Sequence, residues 1–392
     1  MKRSTDRILT SHAGSLHRPE DLRQTMAARR DDEPFDVALT QRVKQAVKDV
    51  VRLQAENGVD IVNDGEYTKG LGLGWMTYAR QRLGGIEIRP LSPSERAGNQ
   101  SITAREERVF PEYFEASRAQ FGGAGGFART AVYANGPLTY VGQADTKRDI
   151  DYLKEAMQGA QVEEGFLSAL APGTIEHWLR NDYYKGGEEE FLFAIAEAMR
   201  EEYKAIIDAG LVLQIDDPDL PDGWQMFPEM SVADYRKYAQ LRVDALNHAL
   251  RDLPEDQIRL HVCWGSGHGP HTHDIPLKDI VDIVFSVRAG SYSIEASNAM
   301  HEWEWVIFED FKLPDGKTLV PGVVGHSSHF VEHPELVAQR LVRYANLVGR
   351  ENVLAGTDCG LGGRVAHPKI AWAKFRAMSE GARLASQRLW AK

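Results

Sequence analysis

The sequence predicts an α/β protein: a single (β/α)8 TIM barrel with an insertion after the second strand. Three observations predict it. Eight short β-branched or apolar runs alternate with long amphipathic stretches, the pattern of parallel α/β architecture. The chain has 392 residues, 43% hydrophobic and 26% charged, so it can bury a large core without disulfide staples. Cys263, Glu295 and Cys359 each fall at or just past the end of a predicted strand, and strand C-termini are where barrel active sites gather. An open doubly wound sheet is the alternative that periodicity leaves standing.

Strands are expected at 8–12, 61–64, 166–171, 212–216, 258–263, 292–295, 319–324 and 353–357. Helices are expected at 39–57, 188–209, 232–251, 277–289, 334–348 and 366–385. The first of these places Val43, Ala46, Val47, Val50 and Val51 at helical spacing and stops at Gly58. The second ends at Gly210, a residue suited to the left-handed turn after a helix. Pro334 suits a first helical turn. Residues 68–164 are too many for a plain crossover. They carry the Gly-rich run 122–126 and an extra strand pair around 131–141, and are read as an insertion over the barrel mouth. Residues 1–392 are thus read as one barrel rather than two domains.

Lys and Arg total 46 against 57 Asp and Glu, a net charge of −11. That balance argues against nucleic-acid and anionic-membrane partners. No apolar run reaches transmembrane length, and the N-terminus lacks the apolar core of a secretory signal. Two cysteines exclude a disulfide scaffold and fit a reducing cytoplasm. The partners expected are small molecules, and a homo-oligomer is compatible with the sequence.

His261 and Cys263 are two apart on a predicted strand, so both side chains point the same way. With Cys359 and Glu295 they bring one imidazole, two sulfurs and one carboxylate to one face, a set that suits Zn²⁺. The competing reading makes both cysteines small buried hydrophobes, and Glu295 could instead serve as an acid–base group. Coordination would deprotonate a thiol whose pKa is otherwise about 8.5.

These residues resemble a known family. His261-x-Cys263, Ser293-Ile294-Glu295 and Asp358-Cys359-Gly360-Leu361 are similar to the zinc site in the C-terminal catalytic domain of cobalamin-independent methionine synthase. Ala13-Gly14-Ser15-Leu16, Asp64-Gly65-Glu66 and Gln214-Ile215-Asp216-Asp217-Pro218 resemble further motifs of that family, in the same order. The resemblance implies a (β/α)8 barrel with a catalytic zinc that activates a thiol for alkylation by a methyl-folate-type donor. It implies that Ser15, Glu66 and Asp216 hold the amino-acid end of homocysteine; the plainer reading makes the two acids solvated strand ends or caps.

Two departures stand out. The long members have two barrels, and this chain has room for one. The family's catalytic histidine also falls, position for position, on Ser327, with His326 one before and His329 two after. Either histidine could protonate a leaving group. Length and departures also resemble the single-barrel epoxyalkane:coenzyme M transferase branch, whose sulfonate-bearing thiol implies a cation at the mouth. Arg18, Lys69, Arg180 and Arg364 are the candidates.

Other signals are weaker. The loop 265–274 carries His268, His271 and His273 and reads as a substrate cover or as a Gly-rich turn with surface histidines. Trp75 offers a stacking face for a flat donor or simply packs the lid. His301-Glu302-Trp303-Glu304-Trp305 lacks the second histidine of a zincin helix. A zinc transferase is therefore favoured over a non-catalytic zinc-binding barrel, with a zinc hydrolase third, because thiolate ligation makes zinc a poorer acid toward water.

Overall fold

The computed structural model describes residues 1–28, 35–69, 78, 80–92, 94–95, 101–120, 130–265 and 267–391. The strands among them are β1 (Ile61–Val62), β2 (Leu83–Pro90), β3 (Thr130–Tyr140), β4 (Glu164–Leu170), β5 (Leu179–Asn181), β6 (Val212–Asp216), β7 (Ile258–Val262), β8 (Ser291–Ile294), β9 (Thr318–Val324) and β10 (Gly356–Thr357). Seven form one curled parallel sheet in the order β1-β4-β6-β7-β8-β9-β10. Its strands are almost continuously buried, as a parallel sheet covered on both faces requires, and carry buried polar residues such as Gln214, Asp216, Arg259 and His261 among the apolar ones.

Predicted residues 8–12 form no named strand. Their extended backbone nevertheless bonds to both sheet edges. The Thr10 carbonyl accepts from Ile61 N at 3.0 Å, Ser11 N donates to Ala355 O at 2.8 Å, and Ala355 N donates to Leu9 O at 2.8 Å.

Inside the curl, Leu9, Ile61, Phe166, Val212, Val320 and Leu354 form one apolar layer. Beside it lies the fully buried Arg259, which donates to Gln214 Oε1 and Ser11 Oγ, both at 2.7 Å, and stacks on Phe166. Burial pulls the Arg259 pKa down to about 10. The strand ends carrying Asp216, His261 and Ser293 stand abreast in register.

The helices pack outside. Val37–Glu56 starts where Asp36 accepts from Leu39 N at 2.7 Å, and buries Leu39, Val43, Val47, Val50 and Val51. Glu188–Asp208 opens with three glutamates at the positive end of its dipole. Pro368–Leu389 begins with proline after a His367 cap and packs on Pro334–Val348.

Two expectations need correction. The helix predicted at 277–289 survives only as the short pieces Leu277–Asp279 and Val281–Val284. Its apolar spacing reflects burial, and the carbonyls that follow are satisfied from outside: the Tyr292 hydroxyl donates to Val287 O at 2.8 Å and Asn247 Nδ2 to Ser286 O at 3.0 Å. The strand pair expected around 131–141 is instead one long strand, β3. It pairs antiparallel with β2 and parallel with β5 in a separate three-stranded sheet. No helix among the described residues is long and apolar enough to cross a membrane.

Candidate functional site

His261 is the penultimate residue of β7, Cys263 lies one residue beyond the strand, and Cys359 follows β10. The fold brings the three together: one ligand atom from each lies within 4.8 Å of the others. The Cys263 and Cys359 sulfurs are 3.8 Å apart and not joined as a disulfide. That separation has a meaning. Two sulfurs at about 2.3 Å from a tetrahedral ion stand about 3.8 Å from each other. His261 is 2% exposed; its Nδ1 faces Ser293 Oγ at 3.2 Å, and its buried Nε2 has no hydrogen-bond partner. An imidazole steadied through one nitrogen with the other left open is the form in which histidine ligates a metal. The donor set therefore fits a zinc-type ion.

The electrostatics agree with the geometry. The Cys263 thiol, with His261 nearby, holds Cys359 well below the ordinary thiol range. Burial opposes a charged His261, yet the Cys359 sulfur and Asp216 keep its pKa above the usual imidazole value.

Glu295 stands differently. It groups with His326 and Asp358 rather than with the two sulfurs. Its Oε2 accepts from Trp264 N at 2.9 Å and its Oε1 from Asn298 Nδ2 at 2.6 Å. Asp358 ties two strand ends together, accepting from Ala296 N at 2.8 Å and Ser297 Oγ at 2.7 Å. Burial, with Glu295 nearby, raises its pKa. His326 is 1% exposed and neither ring nitrogen has a partner, whereas His329 is exposed.

The other predicted residues line the same end of the sheet. Asp216 stands beside His261 in register and accepts from Gln214 Nε2 at 2.7 Å. Burial raises its pKa, with Glu66 contributing and His261 and Lys69 opposing. Glu66 has a left-handed backbone, φ 60°, and its carboxylate sits where a Cβ on Gly14 would be, so only glycine fits at position 14. Ser15 packs against the loop after Cys359: a Cβ on Gly360 would lie 3.0 Å from Ser15 N, and Gly362 N donates to Ser15 O at 2.8 Å. Trp75 lies outside the described residues. Of the four cations considered, Arg18 donates to the Glu66 carbonyl at 2.7 Å, and the half-buried Lys69 donates to Ser168 O at 2.6 Å beside Glu66 and Asp216. Arg180 lies near the Tyr133 ring, and Arg364 is exposed.

Sequence reasoning left the partner of His261 open and quoted Asp358 within the Cys359 motif without giving it or Trp264 a role. Strand register would have found Ser293, which lies directly opposite His261. Adjacency to Cys359 was the only signal for Asp358.

Comparison with known proteins gives the same picture. A methionine synthase from Sulfolobus acidocaldarius is 21% identical over 97% of this chain and 93% of its own length. A 5-methyltetrahydropteroyltriglutamate–homocysteine methyltransferase from Thermotoga petrophila is 25% identical over 90% of this chain, which spans 41% of that protein. Among solved structures, a B12-independent methionine synthase from Shewanella sp. W3-18-1, in complex with selenomethionine, superposes with a TM-score of 0.71 at 19% identity, covering 98% of this chain and 100% of that one. A putative vitamin-B12-independent methionine synthase from Listeria monocytogenes gives 0.65 at 16% identity, over 98% and 99%. Residues 164–384 match the family described as cobalamin-independent synthase, catalytic domain. That span, more than half of the chain, contains every member of both side-chain clusters, and the protein belongs to this family.

Proposed function

We propose that this chain is a zinc-dependent S-methyltransferase that takes homocysteine as acceptor and a methyl-folate-type donor. One observation carries the reading: two sulfurs at tetrahedral-edge separation beside a buried imidazole nitrogen without a partner. His261, Cys263 and Cys359 would hold the ion, with Glu295 the fourth candidate. The ion supplies the positive charge that deprotonates and orients a thiol. Asp216 and Glu66 bind the acceptor's ammonium group, and Ser15 orients its carboxylate end. His326, buried with both nitrogens open, holds the proton that the donor's nitrogen takes as its bond to the methyl carbon breaks and the sulfur–carbon bond forms. His329, exposed on the same loop, is the less suited of the two histidines.

The paired acids Glu66 and Asp216 favour an ammonium-bearing thiol over a sulfonate-bearing one. That ranks homocysteine above the epoxyalkane:coenzyme M reading, in which the same thiol activation would open an epoxide. Among the described residues three ligands cluster, and Glu295 is held apart from them by Trp264 N and Asn298, so the fourth position is available to a thiol; this ranks a transferase above a structural zinc barrel. We further read residues 1–392 as one closed eight-stranded barrel. The two-sided hydrogen bonding of 9–11 supports that closure. Residues 68–164 are read as the insertion over its mouth. Glu106 supports this, since its Oε1 accepts from Thr272 Oγ1 at 3.1 Å and His273 N at 2.6 Å, in the loop above Cys263.

Calorimetry of the zinc-loaded and metal-free protein with homocysteine, coenzyme M and glutathione tests the assignment. Homocysteine should bind, and only to the loaded form. Equal binding of every thiol to both forms would overturn it.

A further inference from the structure

Two sequence features that the reaction leaves unused meet in space. The loop 267–274 and the segment 301–304 together build a buried chain of alternating charges. His271 Nδ1 donates to Asp274 Oδ2 at 2.7 Å, His301 Nε2 to the same oxygen at 3.2 Å, and His301 Nδ1 to Glu304 Oε2 at 2.9 Å. Gln225 Nε2 holds the other Asp274 oxygen at 2.8 Å, and Leu277 N donates to Glu304 Oε1 at 2.7 Å. Asp274, His301 and Glu304 are all buried. With both ring nitrogens donating to carboxylates, His301 is fixed as an imidazolium.

The open face of that ring is occupied. The Trp264 indole stacks on it with centroids 3.8 Å apart and planes 23° from parallel. Trp264 is fixed at its far edge as well, where Nε1 donates to Ile275 O at 2.9 Å. Its backbone N–H is the group that holds Glu295 Oε2. A contiguous path therefore runs from the mouth loop, through Asp274, His301 and Trp264, to the Glu295 carboxylate.

We propose that His301 is a positioning residue that fixes Glu295 through Trp264, and that Asp274 joins this support to the loop covering the site. The His271 ion pair latches the loop, and the stacked ring keeps the Trp264 N–H aimed at the carboxylate. Glu295 is a site residue on the zinc-transferase reading, whereas the mechanical link from His301 to its carboxylate stands without that reading.

The test separates the two. In the metal-free full-length protein, amide hydrogen exchange at Trp264 is measured for wild type, His301→Ala and His301→Phe, with the amides of helix Pro334–Val348 as internal reference. Loss of the stacked ring should speed Trp264 exchange at least about tenfold, a change of about 1.4 kcal/mol in local opening. The reference helix should stay unchanged, and the phenylalanine should restore most of the protection. Exchange at Trp264 as slow as wild type in both variants would overturn the proposal, as would equal acceleration in the reference helix. In the same proteins, zinc competition against a chromophoric chelator should show roughly tenfold weaker binding in His301→Ala. The bands of the Co²⁺-loaded form should shift too. If wild type itself takes up no zinc, the transferase reading fails, and the exchange data still decide the role of His301.

Discussion

Replacing Cys359 with serine tests the centre of the proposal most directly. The side chain is near-isosteric and only partly buried, so the fold should survive. What changes is the donor. The sulfur is held toward its thiolate by Cys263 and His261, whereas a serine hydroxyl stays protonated and offers zinc a weak neutral oxygen. The 3.8 Å sulfur pair then no longer supplies two anionic donors along one edge of a tetrahedron. Changes that only support a zinc ligand cost about 10–100-fold in affinity. Losing a ligand outright should exceed the upper end of that range, or about 2.7 kcal/mol by the free-energy equivalent of a hundredfold. The assay is zinc titration of metal-free protein against a chromophoric chelator at constant pH, with thermal unfolding as the check on folding. A folded Cys359→Ser protein that binds zinc within tenfold of wild type would refute the assignment of this residue as a ligand.

Other outcomes follow from the same geometry. Asp216→Asn should weaken homocysteine by about ten- to a hundredfold, the worth of one hydrogen bond to a charged group, yet leave a sulfonate thiol nearly unchanged in calorimetry. His326→Asn should lower kcat by about 10²–10⁴-fold, the range of general acid catalysis, with zinc affinity preserved; an unchanged kcat would remove it from the mechanism. In metal-free protein the histidines at 271 and 301 should lose their stabilising effect between pH 6.5 and 9, while Cys359, held below the ordinary thiol range, adds stability as pH rises through the same window. His271 and His301, raised to about 9 in spite of burial by their bonds to carboxylates, contribute stability that is complete below the unfolded value of 6.5 and gone above 9. Burial raises Asp217 to about 7, so its ionisation adds a further cost over the lower part of that window. In chelator, the pH 6.5–9 profile of melting temperature should lose part of its fall in His271→Ala; a profile parallel to wild type would contradict this.

The grouping of His261, Cys263 and Cys359, the proposed ligands, was legible in the sequence because strand period and strand ends fix direction. His261 and Cys263 share a face by their two-residue spacing, and a cysteine after the last strand can reach them only if the sheet curls. Glu295 followed the same logic and landed in the neighbouring cluster, because two short hydrogen bonds, from Trp264 N and Asn298, hold its carboxylate there. Spacing sets the facing of a strand residue but not the turn of a side chain beyond the strand end. The 277–289 region misled for another reason. Its apolar periodicity was real, but it recorded the burial of Ile280, Val281, Ile283 and Val284, and the carbonyls that follow, of Ser286 and Val287, bond to Asn247 and Tyr292. The β2–β3 pairing joins residues about fifty apart, beyond the reach of any local turn signal.

The site also depends on the point where the two ends of the chain meet. Residues 9–11 bond to β1's flank on one side and to Ala355 on the other. The next few residues, Gly14 and Ser15, then pass between Glu66 and the loop after Cys359, so close that glycines at 14, 360 and 362 leave no room for a Cβ. This contact puts the hydroxyl proposed to orient the acceptor, the acid proposed to bind its ammonium group and a sulfur proposed to hold the metal on three strands' ends that touch one another. None of these groups needs a long side chain to reach the next, so little rotamer entropy is lost in assembling them. The seam of a curled sheet is where relative placement is least protected by neighbouring ladder bonds. Packing backbone directly on backbone there holds the groups in place.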